Sequence, residues 1–121
     1  MKEIRIPESE LEIMKTLWEH APQTLPEVVK NVQTANSWEP VTIKTMLGRL
    51  VKKRFVRQSG SRRSYLYEPE VSRDCALKSA GRQFAEKLFG GAPAAMISFF
   101  IKSGELSETD IDAIRRQKRI T

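Results

Sequence analysis

Residues 41–67 read VTIKTMLGRLVKKRFVRQSGSRRSYLY, and this stretch decides the fold. Its first half has helical spacing. Ile43, Met46, Leu47, Leu50 and Val51 fall at i, i+3, i+4, i+7 and i+8, which predicts a helix over 41–54 with one buried face. The opposite face then carries Val41, Thr45, Gly48 and Lys52, flanked by Thr42, Lys44 and Arg49. The second half predicts a strand over 55–58, a turn over 59–63 and a returning strand over 64–68, with Tyr65 and Tyr67 on one face of it. Eight basic residues lie in the stretch (Lys44, Arg49, Lys52, Lys53, Arg54, Arg57, Arg62 and Arg63) and no acidic one. A basic helix followed directly by a basic ribbon suits a surface that meets a phosphate backbone.

Two capped helices are expected before it. Ser9 with Glu12, and Thr24 with Glu27, each have the spacing of a capping box, and Pro26 suits a first helical turn. Leu11, Met14, Leu17 and Trp18 form the apolar stripe of the first helix, which Ala21-Pro22 ends. Leu25, Val28, Val29 and Val32 form that of the second, and 36–40 is a loop. Three helices and a hairpin predict a winged helix-turn-helix over 1–70.

The composition shifts after Pro69. A fourth helix is expected over 72–89, with Leu77, Gly81, Phe84 and Leu88 in line and Gly90-Gly91 as its stop. A fifth, over 92–103, is apolar nearly all round through Ala94, Ala95, Met96, Ile97, Phe99, Phe100 and Ile101. A helix of that kind requires burial, which a tail of about 50 residues is too short to supply alone. The sixth starts at Ser107, with Glu108 and Asp110 in its first turn, Ile111 and Ile114 as its stripe, and Arg115, Arg116, Lys118 and Arg119 near its end. The expected architecture is mainly α with a small β-hairpin wing: a winged helix over 1–70, then a three-helix dimerisation region over 71–121. Leu77, Phe84, Leu88, Met96, Ile97, Phe99, Phe100, Ile111 and Ile114 are its expected dimer contacts.

The chain has 121 residues, 40% of them apolar, and a net charge of +6. The clustering of that charge says more than its total. A lone cysteine, Cys75, excludes an internal disulfide and is expected as a small apolar filler. His20 is expected at the surface, and Trp18 and Trp38 in packing. No glycine-rich phosphate loop, His–carboxylate set or metal-ligand spacing is present, so no catalytic residue, metal or cofactor is expected. Residues 1–5 hold no apolar signal region, and the most apolar run, 92–101, is half the roughly 20 residues that a membrane span needs. A cytoplasmic protein without a membrane partner is the expectation.

On a nucleic-acid reading, Lys44, Arg49 and Lys52 reach phosphates, while Thr42 and Thr45 touch base edges or a thymine methyl. Arg62 and Arg63 at the hairpin tip supply phosphate or minor-groove contacts. Gly48 on an exposed helix face costs about 1 kcal/mol relative to Ala, and close approach of the backbone to DNA is one reason to accept that. An architectural DNA-binding protein without a dedicated operator is the main rival. An RNA-binding winged helix, an enzyme and a protein adaptor are more distant ones.

With the residues laid out, the chain resembles the penicillinase-repressor (BlaI/MecI/CopY) family along nearly its whole length. The resemblance rests on SELEIM at 9–14, Leu17-Trp18, WEPVTIKTMLGRLVKK at 38–53, FGG at 89–91 and LSE at 106–108. It implies a homodimeric repressor whose winged helix binds a palindromic double-stranded operator and whose C-terminal helices form the dimer. By position, Thr42, Lys44, Thr45, Arg49 and Lys52 take the recognition-helix roles. Val41 stands where members often carry lysine, which shifts base preference. The copper-responsive branch ends in paired cysteines; this sequence ends Lys118-Arg119-Ile120-Thr121, which speaks against metal sensing by that route. The β-lactam branch is released by proteolysis at an Asn-Phe bond in the fifth helix. The comparable stretch here is Ile97-Ser98-Phe99-Phe100, so the resemblance implies Ser98, Phe99 and Phe100 as a cleavage region and a sensor-activated protease as a partner.

Overall fold

The computed structural model describes residues 4–117. Lys118 and Arg119, expected at the end of the last helix, and the terminal Ile120-Thr121 lie outside these. The chain forms two compact units, Met1–Leu77 and Lys78–Thr121.

The first unit runs α1 (Glu8–Glu19), β1 (Gln23–Thr24), α2 (Leu25–Gln33), α3 (Pro40–Lys52), β2 (Val56–Ser61) and β3 (Ser64–Pro69), and then enters α4 (Arg73–Leu88). The apolar stripes converge on one core. Ile13, Met14 and Leu17 of α1 meet Val28 and Val32 of α2, and Ile43, Met46, Leu47 and Leu50 of α3; Val56 and Tyr67 close it from the sheet. Trp18 and Trp38 pack against this core, and the Trp18 indole N–H donates to the Val71 carbonyl at 2.9 Å.

The expected capping box at Ser9 and Glu12 does not form. Pro7 supplies the N-cap with no side-chain bond, and α1 begins at Glu8, so Glu12 sits too far into the helix to reach back. Its carboxylate instead accepts from Lys15 at 2.9 Å and Asn36 at 3.4 Å, which holds its pKa below the ordinary value. The second box does form: the Glu27 N–H donates to Thr24 Oγ1 at 3.3 Å, and the Thr24 N–H to Glu27 Oε1 at 2.8 Å. That backbone donor lowers the Glu27 pKa. The stabilisation is therefore complete above the unfolded carboxylate pKa and fades as pH falls through the folded one.

Helix α3 starts one residue earlier than expected, with Pro40 in its first turn, and ends at Lys52 rather than 54. It closes in a Schellman motif: Phe55 N–H bonds to Leu50 O at 3.0 Å and Arg54 N–H to Val51 O at 3.0 Å. Arg54 takes the left-handed position at φ 68°, where glycine is the usual residue. Arg54→Gly should raise stability by about 1 kcal/mol through relief of that strain. Urea titration checks it: the midpoint should rise at unchanged slope, and a lower midpoint contradicts it.

The hairpin is longer and tighter than expected. Ser59, Gly60 and Ser61 belong to β2 rather than to a turn, with Gly60 opposite Tyr65 and Ser61 opposite Ser64, so the loop is Arg62-Arg63 alone. Gly60 makes this possible. It lies at φ 91°, and a Cβ there would sit 2.6 Å from the Ser64 carbonyl oxygen. The sheet also has a third strand, β1, which adds to β3 in the order β1-β3-β2. Its Gln23 is buried and ties three elements: the amide donates to Thr16 O at 3.0 Å and His20 O at 2.7 Å and accepts from Asn31 at 3.0 Å.

The second unit holds most of α4, then α5 (Pro93–Lys102) and α6 (Glu108–Gln117). Ser107 caps α6 as expected: the Asp110 N–H donates to Ser107 Oγ at 3.1 Å, and the Ser107 N–H to Asp110 Oδ2 at 3.0 Å. Phe84, Phe89, Phe99 and Phe100 form a chain of ring contacts with centroids 5.6–6.2 Å apart. As expected of so short a tail, α5 is not covered within this chain: no residue of that helix is buried. Phe99 is 54% exposed and Leu88 65%. Three short helices enclose too little volume to cover an all-round apolar one. Cys75 is exposed rather than a filler, because it sits in the first turn of α4, where its N–H bonds to Ser72 Oγ. Among the described residues, no single helix is long and apolar enough to cross a membrane.

Candidate nucleic-acid interface

The burial of Ile43, Met46, Leu47 and Leu50 fixes the rotation of α3, and its other side faces out. Val41 is 69% exposed, and Thr42, Lys44, Thr45, Gly48, Arg49 and Lys52 are exposed with it. Thr45 is partly committed: its hydroxyl donates to the Val41 carbonyl one turn back at 2.9 Å. What it offers outward is a methyl group and an acceptor oxygen, a pair suited to a thymine methyl or a base donor. A Cβ placed on Gly48 would meet nothing within 4 Å.

The fold divides the basic cluster in a way its sequence does not show. Lys53 is paired with Glu10 at 3.0 Å, and Arg57 with Glu68 across the hairpin. Lys44, Arg49, Lys52, Arg54, Arg62 and Arg63 have no acidic partner among the described residues. Both acids that quench the cluster come from outside residues 41–67: Glu10 from α1, Glu68 from just beyond.

Two concavities flank α3. One, of about 480 Å³, brings Lys44 together with the hairpin tip (Arg62, Arg63, Ser64), Tyr65, Tyr67, Gln58 and the start of α2 at Thr24, Leu25 and Pro26. A concave surface with three unpaired cations concentrates potential and favours an anion. The other, of about 430 Å³, lies along the first turns of α3 and is lined by Ser9, Trp38, Val41, Thr42, Thr45, Met46 and Arg49. Sequence reading missed Thr24, Gln58 and Ser64 as wall residues, because only tertiary folding sets α2 beside the hairpin. A tyrosine–glutamine bond, from Gln58 Nε2 to the Tyr67 hydroxyl at 3.2 Å, braces the groove floor.

In the second unit, Phe99, Phe100 and Ile97 of α5, Ile114 of α6, and Phe84 and Leu88 of α4 are exposed, while Met96 and Ile111 are half-buried; Leu77 of α4, the last residue of the first unit, is exposed too. Ser98, Phe99 and Phe100 lie inside α5, so the stretch compared with a cleavage region is helical. No group of three or more His, Cys, Asp or Glu side chains that could hold a metal occurs among the described residues.

Comparison with known proteins agrees with this geometry. The sequence pattern of the penicillinase repressor family matches residues 6–119. The penicillinase repressor of Bacillus licheniformis is 30% identical over 115 residues, covering 94% of this chain and 90% of that one. The methicillin resistance regulatory protein MecI of Staphylococcus aureus is 24% identical over 114 residues, covering 94% and 93%. The solution structure of monomeric Bacillus licheniformis BlaI in complex with the blaP half-operator superposes with a TM-score of 0.53 at 35% identity, over 61% of this chain and 90% of that one. The chain therefore belongs to the penicillinase repressor family, whose members are winged-helix, DNA-binding transcriptional repressors and not enzymes.

Proposed function

We propose that the protein is a cytoplasmic homodimeric repressor that binds a palindromic operator with α3 in the major groove and the β2–β3 hairpin on the adjacent backbone. The observation that carries this reading is the acid-free, exposed face of α3 set beside a cationic groove. The half-operator complex of a relative at 35% identity supports it. In this reading Thr42 and Thr45 read base edges, with Val41 beside them. Lys44, Arg49 and Lys52 hold phosphates of one groove, and Arg62 and Arg63 hold the backbone next to it.

The exposed apolar side chains of α4, α5 and α6 support dimerisation through 71–121, with 1–70 as the DNA-binding part. A two-fold pairing would bury the same patch on both copies. Release follows from loosening that pairing, either by a sensor-activated protease acting at Ser98–Phe100 or by an effector. The MecI and penicillinase repressor relatives favour antibiotic-resistance genes as targets.

The test is base discrimination. Thr45→Ala should narrow the affinity ratio between operator and scrambled duplex by a factor equivalent to about 1–3 kcal/mol, with little change on the scrambled duplex. Equal losses on both duplexes would remove Thr45 from base reading. A wild-type ratio near one would favour the architectural rival.

Gly48 gives an independent check. Its missing Cβ has open space in the protein alone, so Gly48→Ala should raise thermal stability by about 1 kcal/mol. It should also weaken operator binding, since the added methyl stands between the helix and the groove. A variant that is more stable and binds equally well would show that the helix backbone does not approach DNA closely there.

A further inference from the structure

Glu10 is a carboxylate in the first turn of α1 and is 3% exposed. A buried carboxylate is retained only when a partner meets it. Its partner is Lys53, the C-cap residue of α3, at 3.0 Å and 43 positions away in sequence. The contact therefore joins the N-terminal end of one core helix to the C-terminal end of the helix that faces DNA. Lys53 sits there in register, its N–H bonded to the Arg49 carbonyl at 2.9 Å.

We infer that the Glu10–Lys53 pair is a strut that sets the tilt of α3, which makes Lys53 a positioning residue and not a phosphate contact. This rests on the operator reading above. The inference divides two neighbouring lysines of the basic cluster. Both are exposed, but Lys52 has no acidic partner among the described residues, whereas Lys53, its side chain 40% exposed, has its ammonium on the buried carboxylate of Glu10. The four buried residues of α3, Ile43, Met46, Leu47 and Leu50, form one stripe that fixes the helix's rotation about its own axis. On this inference, the charge pair just beyond the end of that stripe fixes its tilt. Operator binding needs α3 in one orientation to place Thr42, Thr45 and Arg49 on particular bases and phosphates. Random-sequence binding tolerates a range of orientations, because phosphates repeat along the duplex.

The experiment measures affinity for operator and for scrambled duplex across a salt series, using the full-length protein well below each variant's unfolding midpoint. Glu10→Gln keeps the shape and removes the charge. It should lower operator affinity about tenfold, change scrambled-duplex affinity less than about twofold and leave the salt slope as it is. Lys53→Met should do the same. Lys52→Met should instead reduce the slope by up to about 1.8 on both duplexes, about 0.9 for each of the two copies in a dimer. The exchange Glu10→Lys with Lys53→Glu should restore part of the discrimination, since the pair is re-formed in reverse. If Lys53→Met lowers the slope as Lys52→Met does, Lys53 touches phosphate and the inference is wrong. If Glu10→Gln keeps full discrimination, the strut does not orient α3 and the inference is equally wrong. A wild-type protein with no preference for any duplex would overturn the operator reading itself, which is a separate outcome.

Discussion

Replacing Phe100 with glutamate should split the proposed dimer and with it remove operator binding, although every side chain of the proposed DNA-binding face remains. Phe100 is 38% exposed in the single chain and stacks edge-on against Phe99, so a glutamate there meets water while the chain is alone. In a two-fold pairing the same position is covered twice, once from each copy. Two unpaired carboxylates then lose their solvation, which costs at least about 4 kcal/mol per dimer, or a thousandfold in dimer affinity. With the dimer gone, the second half-site no longer benefits from a tethered partner, and operator affinity falls toward that of one winged helix. Sedimentation at micromolar concentration should show a monomer for Phe100→Glu and a dimer for wild type. A variant that stays dimeric would place the interface elsewhere.

The second large effect is electrostatic. Arg62 and Arg63 form the whole two-residue loop of the hairpin, are exposed and have no acidic partner among the described residues. Arg62→Ala with Arg63→Ala should therefore leave stability within about 0.5 kcal/mol of wild type. Binding to any duplex should weaken. The slope of log affinity against log salt should drop by about 0.9 for each phosphate no longer neutralised, so by up to about 3.6 for a dimer without its four wing arginines. An unchanged slope would take the wing out of the interface.

What could be read from the sequence was local. The 3.6-residue period placed the buried face of α3, and hence its outward face, because every residue in the count belongs to one helix. Thr24 with Glu27 also announced its cap, since both partners lie within a single turn. Where the reading failed, the deciding partner was distant or the local signal was ambiguous. Ser9 and Glu12 have capping-box spacing, but Pro7 starts the helix earlier and takes that role away. Ser59-Gly60-Ser61 has turn composition, yet Gly60 uses its positive φ to carry β2 onward to Ser61. Strand β1 is two residues long and exists only because β3 lies beside it. The pairing of Lys53 with Glu10 joins residues 43 apart, a separation that no pattern over adjacent turns detects. By contrast, the apolar character of α5 and its exposure in a single chain were both legible, the first from composition and the second from how little three short helices can enclose.

One measurement bears most directly on the claim that two copies of α3 read two half-sites. The wild-type protein is used to select from a pool of random duplexes at physiological salt, and the retained sequences are read. The expected product is an inverted repeat whose half-sites are about 10 bp apart or a multiple of that, bound at least about a thousandfold more tightly than scrambled DNA. A retained pool with no shared motif, bound no better than the starting pool, would contradict the account.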